Sequence, residues 1–284
     1  MNLAKLLQPS NGFTGLFQLT LPVSIYFGIQ TGAGWGWWVA AVFFWGFVYT
    51  LMANNVALHR YFSHGHFTVS KPVEYLLLWL GCMVGVGGPL SYAMTHLIHH
   101  RYSDTRYSDT EYDPISPHLY TVSQLLDYKH NTPGKQYYTS PEDVIRYSVG
   151  INNYSDWIER KIYLPYPKMG LVILWIIATI LFGLPGFIIG GLYKFLIQNI
   201  IVVLAGYGLH KIGYTPNRPR TTEGDKSTNV FPLGILLAGE ELHANHHDYA
   251  GKLNFADRWW EFDIGYWYAK FFMLIGLLKI NHRS

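Results

Sequence analysis

The stretch that decides the fold is MGLVILWIIATILFGLPGFIIGGLYKFLIQNIIVVLAGYGLH, residues 169–210. A membrane-spanning helix needs about 20 mostly apolar residues, so this run is long enough for two such helices. The Gly-Leu-Pro-Gly segment at 183–186 supplies a turn between them. We therefore predict a hairpin of two spanning helices, over residues 169–185 and 190–209.

A second hairpin is predicted near the start of the chain. Residues 35–58 are mostly apolar, and residues 14–30 are a weaker candidate because they contain Gln18 and Pro22. Only 14% of the residues are charged, against about a quarter in soluble domains, which agrees with a surface that faces lipid. The chain is thus predicted to be an all-α integral membrane protein with four transmembrane helices in two hairpins.

The distribution of charge predicts the orientation of this single domain, residues 1–284. Apart from Lys194, every Lys and Arg lies outside the hairpins and their turns. Basic segments face the cytoplasm, so residues 59–167 and 210–284 are predicted to form a cytoplasmic helical cap. Within the cap, glycine-rich residues 75–93 are interpreted as a re-entrant or interfacial element, and residues 267–280 as an amphipathic interfacial helix. The net charge of +3 is too small to indicate nucleic acid binding.

Three histidine clusters indicate the chemistry: HRYFSH at 59–64, HLIHH at 96–100 and HANHH at 243–247. Residues i, i+3 and i+4 share one face of a helix, so each H-x-x-H-H is predicted to direct three rings to one point. The two rings of the first cluster are five residues apart, which is about 140° on an ideal helix. They are therefore expected to serve two metals, or the helix is expected to unwind between them. The clustered residues are His59, His64, His96, His99, His100, His243, His246 and His247.

The type of ligand narrows the choice of metal. Imidazole suits Zn, Cu, Fe and Ni, whereas a structural zinc site typically has four ligands and favours Cys. The chain has a single cysteine, Cys82. The histidine set therefore favours two Fe²⁺ ions and oxygen chemistry. A metal-binding membrane protein without enzymatic activity is an alternative, and it would need neither a substrate tunnel nor an electron donor.

The boxes H-R-x-x-S-H, H-x-x-H-H and G-E-x-x-H-x-x-H-H resemble those of membrane fatty acyl desaturases, and are most similar to the Δ9, stearoyl-CoA-desaturase-like branch. The similarity runs from about residue 15 to 280. It implies an O₂-dependent enzyme that introduces a cis double bond, at Δ9, into a saturated acyl chain. It also implies nine histidine ligands for two irons, with His210 as the ninth and no catalytic side chain beyond the ligands. A di-iron membrane hydroxylase of acyl or alkyl chains is the alternative function.

Departures from the family pattern bear on the partners. Animal members have Arg-Asp before the second box, where they contact coenzyme A, but this chain has Met94-Thr95. The acyl group is therefore expected on a lipid, CoA or a carrier protein, with the lipid or the carrier protein favoured over CoA. Gly206 replaces an Asn that reaches a metal through water in animal members. Because the chain has neither a haem-binding motif nor a cysteine cluster, the electron donor is expected to be a separate ferredoxin or cytochrome.

Further site residues are predicted around the irons. Histidine ligands need their other ring nitrogen held by a carboxylate or carbonyl. Aromatic residues about three to four turns before His59 are candidates for the closed end of the substrate tunnel. The carboxylate candidates are Asp104, Asp113, Glu240, Glu241 and Asp263, and the tunnel candidates are Phe43, Phe44 and Phe47.

The segment after the second box contains Arg-Tyr-Ser-Asp-Thr twice, at 101–105 and 106–110. Family members commonly carry the Ser-Asp-Thr motif once, before an Asp-Pro pair that here is Asp113-Pro114. We interpret the doubling as a tandem insertion in the polar cap, where insertions are tolerated. Only one copy can lie beside the irons, and the sequence leaves open which one.

Overall fold

The described part of the chain surrounds the histidine clusters and is mainly helical. In this computed structural model the described residues are 51–84, 89–104, 169–183, 186–187, 209–216, 218, 220, 224–235 and 237–281. The predicted span at 14–30, residues 35–50 of the span at 35–58, residues 190–208 of the span at 190–209, and residues 105–167 of the cap lie outside these ranges. Within the described ranges, no helix is both long and apolar enough to cross a membrane.

One π-helix, six α-helices and four short strands make up the described chain. The helices are the π-helix (Leu51–Ser63), α1 (Lys71–Val84), α2 (Pro89–Tyr102), α3 (Met169–Phe182), α4 (Leu209–Lys211), α5 (His243–Asp248) and α6 (Ile264–Leu274). The strands are β1 (Phe67–Val69), β2 (Leu233–Gly234), β3 (Phe262–Asp263) and β4 (Leu278–Ile280). Helix α3 ends where the sequence predicts a turn, because Gly183 has a φ of 61°, the left-handed conformation that commonly ends helices.

The π-helix is the central element, and both α1 and α2 pack against it. Buried apolar side chains fill the space between these helices, including Val56 and Ala57 of the π-helix and Leu77 and Leu78 of α1. Helix α1 approaches closely at Gly81, where an added Cβ would lie 2.6 Å from Leu58 Cδ2. The segment interpreted as a re-entrant element thus contains most of α1 and the start of α2, on either side of residues 85–88.

The end of the chain differs from the prediction of one interfacial helix over 267–280. Helix α6 ends at Leu274, and β4 pairs in antiparallel fashion with β1, with Val69 opposite Leu278. The Asn281 N–H also donates to the His66 carbonyl at 3.0 Å. This pairing connects residues 278–280 to the segment that directly follows the first histidine box.

A second small sheet joins the segments on either side of the third histidine box. Strands β2 and β3 pair in parallel, with Gly234 opposite Asp263. Asp263 then caps α6, because its side chain accepts a hydrogen bond from the Tyr266 N–H at 3.0 Å. The all-α expectation therefore missed two small sheets, each of which pairs a segment that precedes or follows a histidine box with a distant segment.

Candidate metal centre

All nine histidines predicted as ligands converge in two adjacent groups. In each group the ligand atoms lie within 4.8 Å of one another. The groups adjoin, since the ring centroids of His100 and His247 are 4.3 Å apart. The five-histidine group contains His59, His64, His96, His100 and His246, and the four-histidine group contains His99, His210, His243 and His247.

The π-helix explains why His59 and His64 belong to one group. Its hydrogen bonds join residues five apart, as in the bond of 3.1 Å from the His64 N–H to the His59 carbonyl. Side chains five residues apart therefore lie on the same face instead of diverging. The expectation that these two rings serve different metals is wrong. The alternative, a helix that unwinds between them, is not what brings them together either, because a continuous π-helix over Leu51–Ser63 does so.

The two H-x-x-H-H boxes are each divided between the groups. His96 and His100, one turn apart on α2, point to the five-histidine group, while His99 points to the four-histidine group. On α5 the division is reversed, because His246 joins the first group and His243 and His247 join the second. The prediction that three rings of a box meet at one point is wrong, since residues i+3 and i+4 are about 100° apart on an α-helix and cannot both face one point with residue i. Each box instead bridges both groups.

The Nε2 atoms face one another in both groups. In the five-histidine group, His246 Nε2 lies 2.7 Å from His59 Nε2 and 2.9 Å from His100 Nε2. In the four-histidine group, the Nε2 atoms of His210 and His243 are 3.1 Å apart. Separations of this size are expected between nitrogen ligands that share one metal ion.

Carboxylates hold the opposite nitrogen of three rings. Glu240 accepts from Nδ1 of His59, Asp104 from Nδ1 of His210 at 2.8 Å, and Asp225 from Nδ1 of His247 at 2.8 Å. A neutral ring held in this way carries its hydrogen on Nδ1 and a lone pair on Nε2. Lone pairs that face one another in a buried space repel, so this arrangement fits a bound cation and explains why the residues suit a metal.

Burial keeps further rings neutral. It is the main cause that lowers the pKa of each of His96, His243, His246 and His247 well below the usual range, and neighbouring histidine rings lower it further. Neutral imidazole is the form that binds a metal.

Asp104 and Asp225 remain ionised. Burial is the largest single influence on the pKa of Asp104 and raises it, but the interactions with His210 and the Lys226 N–H together lower the pKa below its usual range. Burial likewise raises the pKa of Asp225, but the interactions with Ser227, Arg220 and His210 together lower the pKa overall.

The other predicted carboxylates have different surroundings. Glu241 accepts the N–H groups of Leu237 and Gly239, at 2.7 and 3.2 Å, and so shapes the loop before the third box. Asp263 holds no histidine ring within the described chain. It accepts from Arg60 at 2.6 Å and from the Phe255 N–H at 2.9 Å, so it supports the residue next to His59. Asp113 and the tunnel candidates Phe43, Phe44 and Phe47 lie outside the described residues.

Sequence reasoning missed Asp225. It lies in a polar loop, residues 224–230, without periodicity, and only its position in space brings it to His247. It also missed Asn55, whose side-chain amide donates to Glu240 at 2.6 Å. A possible signal for Asn55 was its position one turn before His59 inside an apolar run. His66 is buried but outside both groups, and its Nε2–H donates to the Ala250 carbonyl at 2.8 Å.

Known proteins with similar sequences act on fatty acyl chains. An sn-1 stearoyl-lipid 9-desaturase of Anabaena variabilis is 29% identical, over 78% of this chain and 76% of the relative. A hex-5-enoyl-[acyl-carrier protein] acetylenase of Moorena producens is 28% identical, over 76% and 68%. Delta-9 acyl-lipid desaturase 2 of Arabidopsis thaliana is 26% identical, over 84% and 72%.

The family comparison covers the whole region of the histidine boxes. The fatty acid desaturase family matches residues 33–273, which is well over half of the chain. The match includes all nine histidines of the two groups. The chain therefore belongs to the fatty acid desaturase family and is a fatty acyl desaturase of the Δ9-like branch, which confirms the interpretation of the three histidine boxes.

Proposed function

We propose that the five- and four-histidine groups each hold one Fe²⁺ and that the chain introduces a cis double bond at Δ9 of a saturated acyl chain. The observation that carries this proposal is the convergence of nine Nε2 atoms in two groups, three of them fixed as lone-pair donors by carboxylates. Five nitrogen ligands exceed the four of a structural zinc site, and imidazole suits iron.

The overall reaction has a simple balance. The acyl chain loses one hydrogen atom from each of two adjacent carbons, and O₂ is reduced to two waters with two electrons and two protons from outside. O₂ is the oxidant in this balance, and the two irons, when bound, would activate it. The electrons come from a separate ferredoxin or cytochrome. The chain's own residues fix the tautomers of the histidine rings, orient the acyl chain and exclude water.

The burial of the two groups agrees with water exclusion. Every ring of the four-histidine group is buried, whereas His64 and His100 of the five-histidine group are partly exposed. The five-histidine group therefore has the more accessible edge, and we propose that the acyl chain approaches there.

The acyl carrier is proposed to be a lipid or a carrier protein. The Met94-Thr95 pair lacks the charges expected for contact with coenzyme A. The names of the relatives from Anabaena and Arabidopsis refer to acyl-lipid substrates, and that of the relative from Moorena to an acyl-carrier protein. These names agree with that choice, whereas the name of a relative from Anemone leveillei refers to an acyl-CoA substrate.

We also propose that the enzyme is a multi-pass membrane protein with its metal centre at the cytoplasmic side. Support comes from the apolar runs at 14–30, 35–58, 169–185 and 190–209, and from the position of the basic residues outside the hairpins. Residues 75–93 are proposed to lie at the membrane surface or to re-enter it.

The test is expression in a host that lacks unsaturated fatty acids, followed by analysis of its lipids and free acyl groups. The expected product carries one cis double bond at the ninth carbon, and a His210→Ala variant is the inactive control. Desaturation removes two hydrogen atoms, whereas hydroxylation adds one oxygen atom, so the mass of the product separates the two functions. An alcohol as the sole product would overturn the desaturase in favour of the hydroxylase.

A further inference from the structure

The doubled segment Arg-Tyr-Ser-Asp-Thr offers two identical candidates for one position beside the histidines. The first copy is residues 101–105 and the second is residues 106–110. The structure describes Ser103 and Asp104 of the first copy. Both lie directly after helix α2, which carries the second histidine box and ends at Tyr102.

The backbone conformation of Asp104 directs its side chain towards the metal centre. Its φ of 57° is in the left-handed region, which few residues other than Gly, Asn and Asp adopt readily. The side chain is 3% exposed, and its Oδ2 accepts both from His210 Nδ1 at 2.8 Å and from the Lys226 N–H at 2.8 Å. A conformation that costs energy is thus maintained at a residue that holds a ring of the four-histidine group.

Ser103 connects the same copy to a second ring. It is fully buried, and its hydroxyl donates to Asp225 Oδ1 at 3.3 Å. The other oxygen of Asp225 accepts from His247 Nδ1 at 2.8 Å. Two consecutive residues of the first copy therefore support His210 and His247, which lie on different elements of the four-histidine group.

The two copies cannot share this role. A ring whose Nε2 faces the group has only one N–H, on Nδ1, and Asp104 accepts the N–H of His210. Asp109, the equivalent residue of the second copy, is five residues further along the chain. One carboxylate can therefore take this position, and Asp104 has it.

We infer that the first copy, through Asp104 and Ser103, positions His210 and His247 of the four-histidine group, and that the second copy does not serve this position. The inference rests on the proposed function, since it assumes that the group holds iron. Asp104 and Ser103 are positioning residues, because they act on the metal only through the rings.

The repeat supplies its own matched control. Asp104→Asn and Asp109→Asn are the same change in the same local sequence, and Asn keeps the shape of Asp and tolerates a positive φ. The purified full chain, reconstituted with Fe²⁺, is analysed for iron per chain and for the rate at which a chelator removes the iron. Asp104→Asn is expected to release one iron of the two roughly 10- to 100-fold faster than the parent. Asp109→Asn is expected to match the parent, and Asp104→Glu is expected to recover part of the retention.

A second pair of variants, at Ser103 and Ser108, keeps the inference testable if the Asp104 variant does not fold. Ser103→Ala should accelerate release of the same iron, while Ser108→Ala should not. Equal behaviour within both pairs, or an effect confined to Asp109 and Ser108, would overturn the inference even if the parent holds two irons and makes the double bond. A parent chain that holds no iron would overturn the proposed function, and the inference with it.

Discussion

Replacing Gly265 by Ala should disturb the first histidine box through its neighbour Arg60. An ideal Cβ on Gly265 would lie 2.1 Å from Arg60 Nη1 and 2.3 Å from Asn55 Oδ1, which is far inside van der Waals contact. Neither group can give way easily. Arg60 is fully buried, paired with Asp263 at 2.6 Å and stacked 4.2 Å from the Phe255 ring. Asn55 is also fully buried and donates to Glu240, which holds His59.

The magnitude follows from these contacts. Overpacking a buried site costs about 1–3 kcal/mol, and forcing a buried ion pair apart costs about 3–5 kcal/mol. Gly265→Ala is therefore expected to lower the free energy of unfolding by at least about 1 kcal/mol, and to reduce iron retention because Arg60 and Asn55 position His59. Gly251→Ala is the control, since an added Cβ there meets nothing within 4 Å. Thermal unfolding and iron content, measured in the same detergent, give the comparison. Identical values for the two variants would refute the reasoning.

Three further outcomes are expected. Replacing any one of the nine histidines by Ala should abolish desaturation and lower the iron content, whereas His118→Ala, at a histidine outside the three boxes, should keep both; full iron and activity in His210→Ala would remove His210 from the ligand set. Deleting residues 106–110 should keep activity within about tenfold, or roughly 1.4 kcal/mol, and a well-folded but inactive deletion would give the insertion a role. Phe47→Ala should accept longer acyl chains without moving the double bond from the carboxyl end; an unchanged product profile there and in Phe43→Ala and Phe44→Ala would exclude a tunnel end in this segment.

The composition of the metal centre could be predicted from sequence because metal ligation needs particular residue types in dense clusters. Three short boxes contained eight of the histidines that converge, and the family pattern added His210. The division of these rings into groups could not be predicted in the same way. For His59 and His64 it depends on a π-helix over Leu51–Ser63, and the residues of that helix do not reveal that each hydrogen bond will span five positions rather than four.

Contacts between distant parts of the chain could not be predicted from the sequence either. The pairing of β1 with β4 joins Val69 to Leu278, and a local pattern of apolar residues cannot specify such a partner. Asp225 approaches His247 through a loop without periodicity, so its role is visible only in three dimensions. Asp263 was predicted to hold a histidine ring, but its carboxylate pairs instead with the buried guanidinium of Arg60, another contact between distant parts of the chain.

The most direct test of the central proposal is the metal content of purified, active protein. The expected result is two iron ions per chain, surrounded by nitrogen ligands as judged by X-ray absorption, in protein that converts a saturated acyl chain to its cis-unsaturated product. Desaturation by protein that holds one ion, or that holds zinc in place of iron, would contradict the assignment of one iron to each histidine group.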